Sequence, residues 1–296
     1  MNHLRSLRAW VLVAIVGVGV AFAQDALPTE AATALREGEA RMAEALATYP
    51  AQYPDRPLWQ QAFAAGRRAA SLAPDRLEPV RFLAEAYSLS QWTGRAWGAW
   101  LDYARRGGVL DEAAQSMAAG VGHELGYGAY ARGDLDAALD LYLTITDLAP
   151  RDVDARVWVG RILIETERPA QAVPYWQSVV ELDPTDARAR YFLDLARDQA
   201  EWGTRAVDAF RQGVAHYEAG EMSLARERFA RATVLNPTYP AAWAWLGRVA
   251  FEAGAYADAR RAYANAAGLE PGNETYRYFL AQAIARAEAP GGAADD

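Results

Sequence analysis

The sequence predicts an all-α protein in which antiparallel helix pairs stack into a solenoid. The first observation behind this prediction is composition, since alanine dominates and long runs of Val, Ile or Thr are missing, which favours helix over sheet. The second is an internal repeat, because Pro150 and Pro184 lie 34 residues apart, as do Pro237 and Pro271. A period of this length is typical of a helix-turn-helix unit.

The first 23 residues are interpreted as a signal peptide and not as part of the fold. Two arginines make a short basic head, residues 11–20 make an apolar stretch, and Ala21-Phe22-Ala23 has the small-x-small pattern of a cleavage site. A membrane anchor is the alternative, but a spanning helix needs about twenty apolar residues and this stretch is shorter. We therefore expect a mature chain that begins at Gln24, has no stable membrane span, and works in the periplasm or cell envelope.

Charge and residue types argue against several classes of function. The chain has 30 basic and 38 acidic residues, and its net charge of −8 argues against nucleic acid, whose binding relies on neutralising phosphates. Cysteine is absent, which excludes disulfides, thiolate metal sites and a lipidated cysteine. Lysine is absent as well, which excludes phosphate-loop and Schiff-base lysines. Because His123-Glu124 also lacks the second histidine of a zinc motif, we predict a protein that is not an enzyme and uses no cofactor or metal.

Each repeat places four residue types in the same order. A glycine in the first helix is followed by an alanine and an aromatic residue in the second helix, and then by the proline. The four sets are Gly126, Ala138, Tyr142 and Pro150; Gly160, Ala172, Trp176 and Pro184; Gly213, Ala225, Phe229 and Pro237; Gly247, Ala259, Tyr263 and Pro271. Glycine and alanine let two helices approach closely while the aromatic ring fills the space alongside, and proline ends the second helix because it has no N–H to donate.

This order of residues resembles the tetratricopeptide repeat, whose pattern is W-x₂-L-G-x₂-Y, then A-x₃-F, then P. The last unit has the most matches: Trp243, Leu246, Gly247, Gly254, Tyr256, Ala259, Tyr263, Ala266 and Pro271. Gln212 departs from the usual leucine, and Glu167 and Pro169 stand where a glycine and an aromatic residue are expected. The resemblance implies a right-handed superhelical solenoid of helix pairs.

A longer period of 87 residues indicates that a block of two repeats and one extra helix was duplicated. When residues 118–201 are shifted by 87, about two dozen of the 84 positions coincide. The extra helices, near residues 187–200 and 274–288, resemble the capping helices that close such arrays. The expected domains are degenerate N-terminal helical repeats over 24–116, two blocks over 117–203 and 204–289, and a disordered tail over 290–296.

The resemblance also implies that first helices of successive repeats line a groove for an extended peptide or a partner's helix. The groove positions are Tyr127, Tyr130, Val157, Arg161, Ile164 and Glu165 in the first block and Phe210, Tyr217, Glu218, Arg248, Phe251 and Glu252 in the second. Tyrosine and arginine suit such a surface because they contribute contact area and forked hydrogen bonds. Another interpretation stays open, since the arginines and glutamates at four-residue spacing can simply pair along one helix.

Two further features have both a structural and a functional interpretation. Asp134, Asp136 and Asp140 cluster where a turn enters a helix, and acids there favour the helix dipole. The glycosylation triplet that begins at Asn273 also precedes a helix, where asparagine is more often a cap. We interpret both as structural.

The leading hypothesis is an exported adaptor that binds a protein or peptide segment in its groove. A self-associating scaffold of the cell envelope is the first alternative, and it would form homo-oligomers through exposed caps. A module that binds cell-wall glycan or peptide is the second, suggested only by ten tryptophans and fifteen tyrosines. Tyr191 and Tyr278 on the extra helices either extend the groove or are buried beneath the caps.

Overall fold

The computed structural model describes residues 26–289, and every element of regular structure in that range is a helix. The all-α prediction is therefore confirmed. The helices are α1 (Thr29–Thr48), α2 (Pro57–Leu72), α3 (Glu78–Leu89), α4 (Thr93–Arg105), α5 (Glu112–Ala131), α6 (Leu135–Leu148), α7 (Val153–Glu165), α8 (Pro169–Leu182), α9 (Ala187–Trp202), α10 (Thr204–Glu218), α11 (Met222–Leu235), α12 (Pro240–Glu252), α13 (Tyr256–Leu269) and α14 (Glu274–Glu288). The proposed signal peptide and the C-terminal tail lie outside the described residues, and none of these helices combines the length and apolar character that a membrane span requires.

The helices form two compact units, of which the first ends at Val109 and the second begins at Leu110. In the first unit α1 pairs with α2, α3 pairs with α4, and α2 packs on α3. Its core contains the ring of Phe63, which lies 4.8 Å from the Tyr87 ring and 5.5 Å from the Trp92 ring. Aromatic rings bury a large area each, which helps a unit of so few helices to form a core.

The second unit consists of four helix pairs and two extra helices. The pairs are α5 with α6, α7 with α8, α10 with α11, and α12 with α13. The extra helices are α9, which packs against both α8 and α10, and α14, which packs against α13. Short connections make neighbouring helices antiparallel, as the sequence predicts.

Within every pair of the second unit, the glycine of the first helix lies directly against the aromatic ring of the second. A methyl group added to the glycine would come within 3.0 Å of the ring at all four places: Gly126 against Tyr142, Gly160 against Trp176, Gly213 against Phe229 and Gly247 against Tyr263. The sequence predicted that the alanine would be the close neighbour and the ring would lie alongside. The ring itself is the nearest group, so glycine is needed because a side chain there would displace an aromatic residue.

The turns between first and second helices require a left-handed backbone. Gly133, Gly220 and Gly254 have φ values of 78°, 77° and 76°. Glu167 occupies the same place in the second repeat with φ 53°, although a side chain makes this conformation unfavourable by about 1–2 kcal/mol. The departure from glycine that the sequence revealed is therefore a site of local backbone strain.

Polar side chains cap the N-termini of several helices, as expected from the sequence. The Asp134 carboxylate accepts a hydrogen bond from the Ala137 N–H at 3.1 Å at the start of α6. Asn273 Oδ1 accepts hydrogen bonds from the N–H groups of Thr275 and Tyr276 at the start of α14. Both side chains therefore cap helices, which satisfies N–H groups that have no partner within the helix.

Candidate partner-binding surface

A compact group of four side chains joins the first helices of the first block, and we call it the first cluster: Tyr130, Trp158, Arg161 and Glu165. The Tyr130 hydroxyl, on α5, donates to Glu165 Oε1 and Oε2 on α7 at 2.9 and 3.0 Å. Arg161 Nε donates to Glu165 Oε1 at 2.8 Å, and its Nη2 donates to the Tyr130 hydroxyl at 2.9 Å. The guanidinium lies 5.1 Å from the ring centroids of both Tyr130 and Trp158. Hydrogen bonds and cation–π contacts thus fix the arginine from several sides.

The second block repeats this arrangement 87 residues further along, as the second cluster: Tyr217, Trp245, Arg248 and Glu252. The Tyr217 hydroxyl, on α10, donates to the two Glu252 oxygens on α12 at 2.7 and 2.9 Å. Arg248 Nε donates to Glu252 Oε1 at 3.0 Å. Its guanidinium lies 4.8 Å from the Tyr217 ring centroid and 5.0 Å from that of Trp245. The duplication has therefore kept both the residues and their geometry.

Each cluster rests on the aromatic core beneath it. The Trp158 ring stacks on Tyr142 with centroids 5.3 Å apart and planes 5° apart. The Trp245 ring stacks on Phe229 at 5.5 Å and 25°. Tyr142 and Phe229 are the rings that contact the repeat glycines, so close helix packing sets the position of each tryptophan and of the arginine above it.

The clusters are accessible and electrically balanced. The side chains of Arg161 and Arg248 are 48% and 50% exposed. Hydrogen bonding to Glu165 raises the pKa of the Arg161 guanidinium, and the equivalent bond to Glu252 raises the pKa of Arg248. Both arginines are therefore charged at neutral pH, and each is matched by one carboxylate. The exposed edge of each guanidinium is already held in place, so a partner that bound it would lose less side-chain conformational entropy.

The structure brings together six of the twelve predicted groove residues, namely the tyrosine, arginine and glutamate of the two clusters. Tyr127 is 60% exposed, with its ring edge-on to Trp158 at 6.1 Å, and Glu218 is also exposed. Phe210 and Phe251 are partly buried and pack against the hydrophobic core. Val157 and Ile164 are partly buried as well. The accessible part of the predicted surface is thus concentrated at the clusters, Tyr127 and Glu218.

Trp158 and Trp245 are part of the clusters but were not among the predicted groove residues. A sequence signal was present, because each tryptophan stands three residues before the arginine on the same helix, and such residues are neighbours on a helix surface. The conserved W-x₂-R spacing in both blocks could therefore have identified them.

The tyrosines of the two extra helices are exposed and not buried beneath a cap. Tyr191 is 48% exposed and Tyr278 is 59% exposed. The phenylalanine next to each is the residue that packs inward, since Phe192 stacks on Trp176 at 4.8 Å and the equivalent phenylalanine stacks on Tyr263 at 5.5 Å. The phenylalanines therefore make the ring contacts of the two extra helices, although Phe279 is still 38% exposed, and both tyrosines lie on the surface.

One polar contact between first helices is present only in the first block. His123 Nε2, on α5, lies 3.1 and 3.0 Å from the two carboxylate oxygens of Asp152, which caps the N-terminus of α7. Burial alone would raise the pKa of the Asp152 carboxyl, but hydrogen bonds from His123 and the Ala155 N–H and the charge of Arg156 outweigh it, so this pKa lies below its usual value. Across residues 26–289, His, Asp and Glu side chains do not gather in threes as a metal site would require.

Comparison with known protein families gives a match to the tetratricopeptide repeat over residues 123–187 and 210–274. The two matched segments begin and end 87 residues apart, in agreement with the internal duplication. Among curated proteins, none matches the sequence significantly.

Similar helical arrays occur among solved structures. MamA is 23% identical, with a TM-score of 0.25 over 57% of this chain and 81% of MamA. YrrB, described as a TPR protein with an unusual peptide-binding site, is 17% identical, with a TM-score of 0.29 over 72% of this chain and 96% of YrrB. PilF of Pseudomonas aeruginosa is 17% identical, with a TM-score of 0.28 over 84% of this chain and 99% of PilF.

Proposed function

We propose that this chain, which matches the tetratricopeptide repeat over residues 123–187 and 210–274, is an exported adaptor that binds a protein or peptide segment through the first helices of its repeats. Repeats of this kind are platforms for protein–protein interaction, and nothing in the described residues indicates catalysis. The proposal concerns the surface formed by the two clusters together with Tyr127 and Glu218.

The observation that carries the proposal is that all four cluster residues are repeated in the second block. Only about two dozen of 84 aligned positions coincide between the blocks, yet all four cluster residues do. Half-exposed ion pairs of this type add little stability, typically less than about 1 kcal/mol. Fixed arginine and aromatic side chains are, by contrast, the residue types that dominate the energy of protein interfaces. A role in partner binding therefore explains why both blocks have the same four residues better than a role in stability alone.

Export is supported by the sequence of residues 1–23, which combines a basic head, an apolar stretch and a cleavage pattern. N-terminal sequencing of the protein recovered from the cell envelope is expected to begin at Gln24. Recovery of uncleaved protein in the cytoplasm would contradict this part of the proposal.

Binding is tested by affinity capture from an envelope extract, followed by quantitative mass spectrometry of the captured proteins. Replacing Tyr130, Tyr217 or Arg248 with alanine is expected to weaken capture of the same partner by about tenfold, as for a central interface residue. The matched control is Val234→Ser, because Val234 is 70% exposed on the second helix α11. Capture that is equal for the control and for all three cluster variants would refute binding at the clusters.

A further inference from the structure

His123 and Asp152 meet at the seam between α5 and the start of α7, and the corresponding contact in the second block is made by two aromatic residues. The equivalent residues there are Phe210 and Tyr239, whose ring centroids lie 5.1 Å apart. We propose that protonation of His123 tightens α5 against α7, so that the packing of the first helices beneath the first cluster responds to pH through a contact that the second block lacks. This inference rests on the proposed function, because it describes the regulation of that same surface.

The geometry suits a titrating contact. The side chains of His123 and Asp152 are 26% and 18% exposed, so solvent screens their interaction only in part. Asp152 Oδ1 also accepts a hydrogen bond from the Ala155 N–H at 2.7 Å, which fixes the carboxylate at the first turn of α7. Imidazole ordinarily gains its proton between pH 8 and 5. The hydrogen bond to the ionised Asp152 carboxylate then becomes an ion pair between an imidazolium and a carboxylate, which adds Coulombic attraction to the bond.

The other groups around His123 leave Asp152 as the charge in direct contact. From α6, the ring of Tyr142 lies 5.6 Å away, and burial raises the pKa of its hydroxyl to about 12, so it stays neutral. From α7, Arg156 Nη1 donates to the Asp152 carbonyl oxygen at 2.7 Å, and its charge helps to keep the carboxylate ionised. Glu124 follows His123 on α5 and adds a further negative charge.

The same two helices carry the first cluster. Tyr130 lies seven residues, or about two turns, after His123 on α5, and Arg161 and Glu165 lie on α7. A stronger contact at the start of α7 therefore reduces relative motion of the helices that the cluster joins. In the second block, Phe210 has no titratable group, and burial raises the pKa of Tyr239, so neither residue changes charge over this pH range.

Amide hydrogen exchange tests the inference without a partner. Protection factors, corrected for the intrinsic effect of pH, are measured for α7 and α12 of the full chain at pH 5.5 and 7.5. Acidification is expected to raise the protection of the first turns of α7 by about fivefold, the effect of about 1 kcal/mol, and to leave α12 unchanged. His123→Phe imports the residue of the second block and keeps the Asp152 cap, so it is expected to abolish the response.

His216→Phe is the control, because His216 pairs with Glu221 at 2.6 Å outside this seam and its loss should leave the α7 response intact. If His123→Phe does not fold, His123→Gln removes the titration while keeping a hydrogen-bond donor. Equal changes in α7 and α12, or a response that survives both His123 substitutions, would overturn the inference. This outcome is separate from the capture experiment, whose failure would remove the adaptor function and leave the pH response standing.

Discussion

The helices α9 and α14 carry the same Arg-Tyr-Phe-Leu segment 87 residues apart, but α9 lies between two helix pairs whereas α14 is the last helix that the structure describes. Five residues of α9 are buried, whereas Ala283 is the one buried residue of α14. On its second side α9 contacts α10 through Leu195, which belongs to a core cluster that also contains Tyr239. Trp202, at the end of α9, stacks on Tyr239 at 5.2 Å and 7°.

The residues that α9 uses to receive α10 have been replaced in α14. Leu195 corresponds to Gln282, and Trp202 corresponds to Ala289. The side that faces the preceding helix is the same in both, since Phe192 of α9 stacks on Trp176 and Phe279 of α14 stacks on Tyr263. The same segment thus connects two blocks when the side that faces away from the preceding helix is apolar, as in α9. It ends the packed helices when that side carries polar or small residues, as in α14. This difference argues against self-association through α14.

The largest effect that would sharpen this comparison comes from shortening the leucine at the equivalent position of each helix, Leu193 in α9 or Leu280 in α14. Leu193 is 4% exposed, so Leu193→Ala is expected to lower the free energy of unfolding by about 3 kcal/mol. Leu280 is only partly buried, and Leu280→Ala is expected to cost about 1 kcal/mol because the open side can relax. Urea unfolding followed by circular dichroism measures both values. Equal losses would mean that α14 is as tightly enclosed as α9.

Exchanging the outer-face residues tests the distinction between joint and cap. Leu195→Gln places an amide in the apolar contact with α10 and is expected to cost about 2 kcal/mol. The reciprocal Gln282→Leu is expected to change stability by less than about 0.5 kcal/mol, because position 282 is exposed. Sedimentation velocity accompanies the urea titrations. A Gln282→Leu protein that dimerises would show that one leucine is enough to turn the cap into a contact surface.

A smaller effect is expected at the strained turn, where the blocks also differ. Glu167 adopts φ 53° at the position where the second block has Gly254 with φ 76°. Glu167→Gly is expected to stabilise the protein by about 0.5–1 kcal/mol, which is the relief of left-handed strain less the flexibility gained by the unfolded chain. Gly254→Glu should cost about 1 kcal/mol, since open space surrounds that glycine and strain is the only penalty. Thermal unfolding of the pair checks both signs, and a loss for Glu167→Gly would contradict the strain argument.

The fold was predictable from the sequence because it depends on repeated local rules. Gly213 and Pro237, for example, have equivalents at the same spacing in all four repeats of the second unit, where they specify a close helix contact and a helix end. The clusters were predictable only in part. Position on the first helix identified Arg161 and Glu165, but the stacking of Trp158 on Tyr142 depends on three-dimensional packing between repeats. The His123–Asp152 contact was not foreseen, since the partners are 29 positions apart in the sequence and lie in different repeats.

The smallest expected effect concerns the tyrosine beneath the first cluster, whose counterpart in the second block is Phe229. The Tyr142 hydroxyl is buried and has no hydrogen-bond partner among the described residues, so Tyr142→Phe is expected to stabilise the protein by about 0.5 kcal/mol at neutral pH. Burial, with a minor contribution from Tyr127, raises the pKa of Tyr142 to about 12, above the value of about 10 in an unfolded chain.

The pKa of Tyr142 is higher in the folded than in the unfolded protein, so raising the pH favours unfolding. The stability that depends on a neutral hydroxyl is complete below about pH 10 and is lost as the pH rises through 12. The wild type should therefore lose more stability than Tyr142→Phe between pH 9 and 11.5, as measured by urea unfolding at each pH. Phe229→Tyr would give the second block the same alkaline sensitivity if the two core sites are equivalent. Parallel pH profiles for the wild type and Tyr142→Phe would show instead that water reaches the hydroxyl, and that the aromatic stack beneath the first cluster is looser than its counterpart.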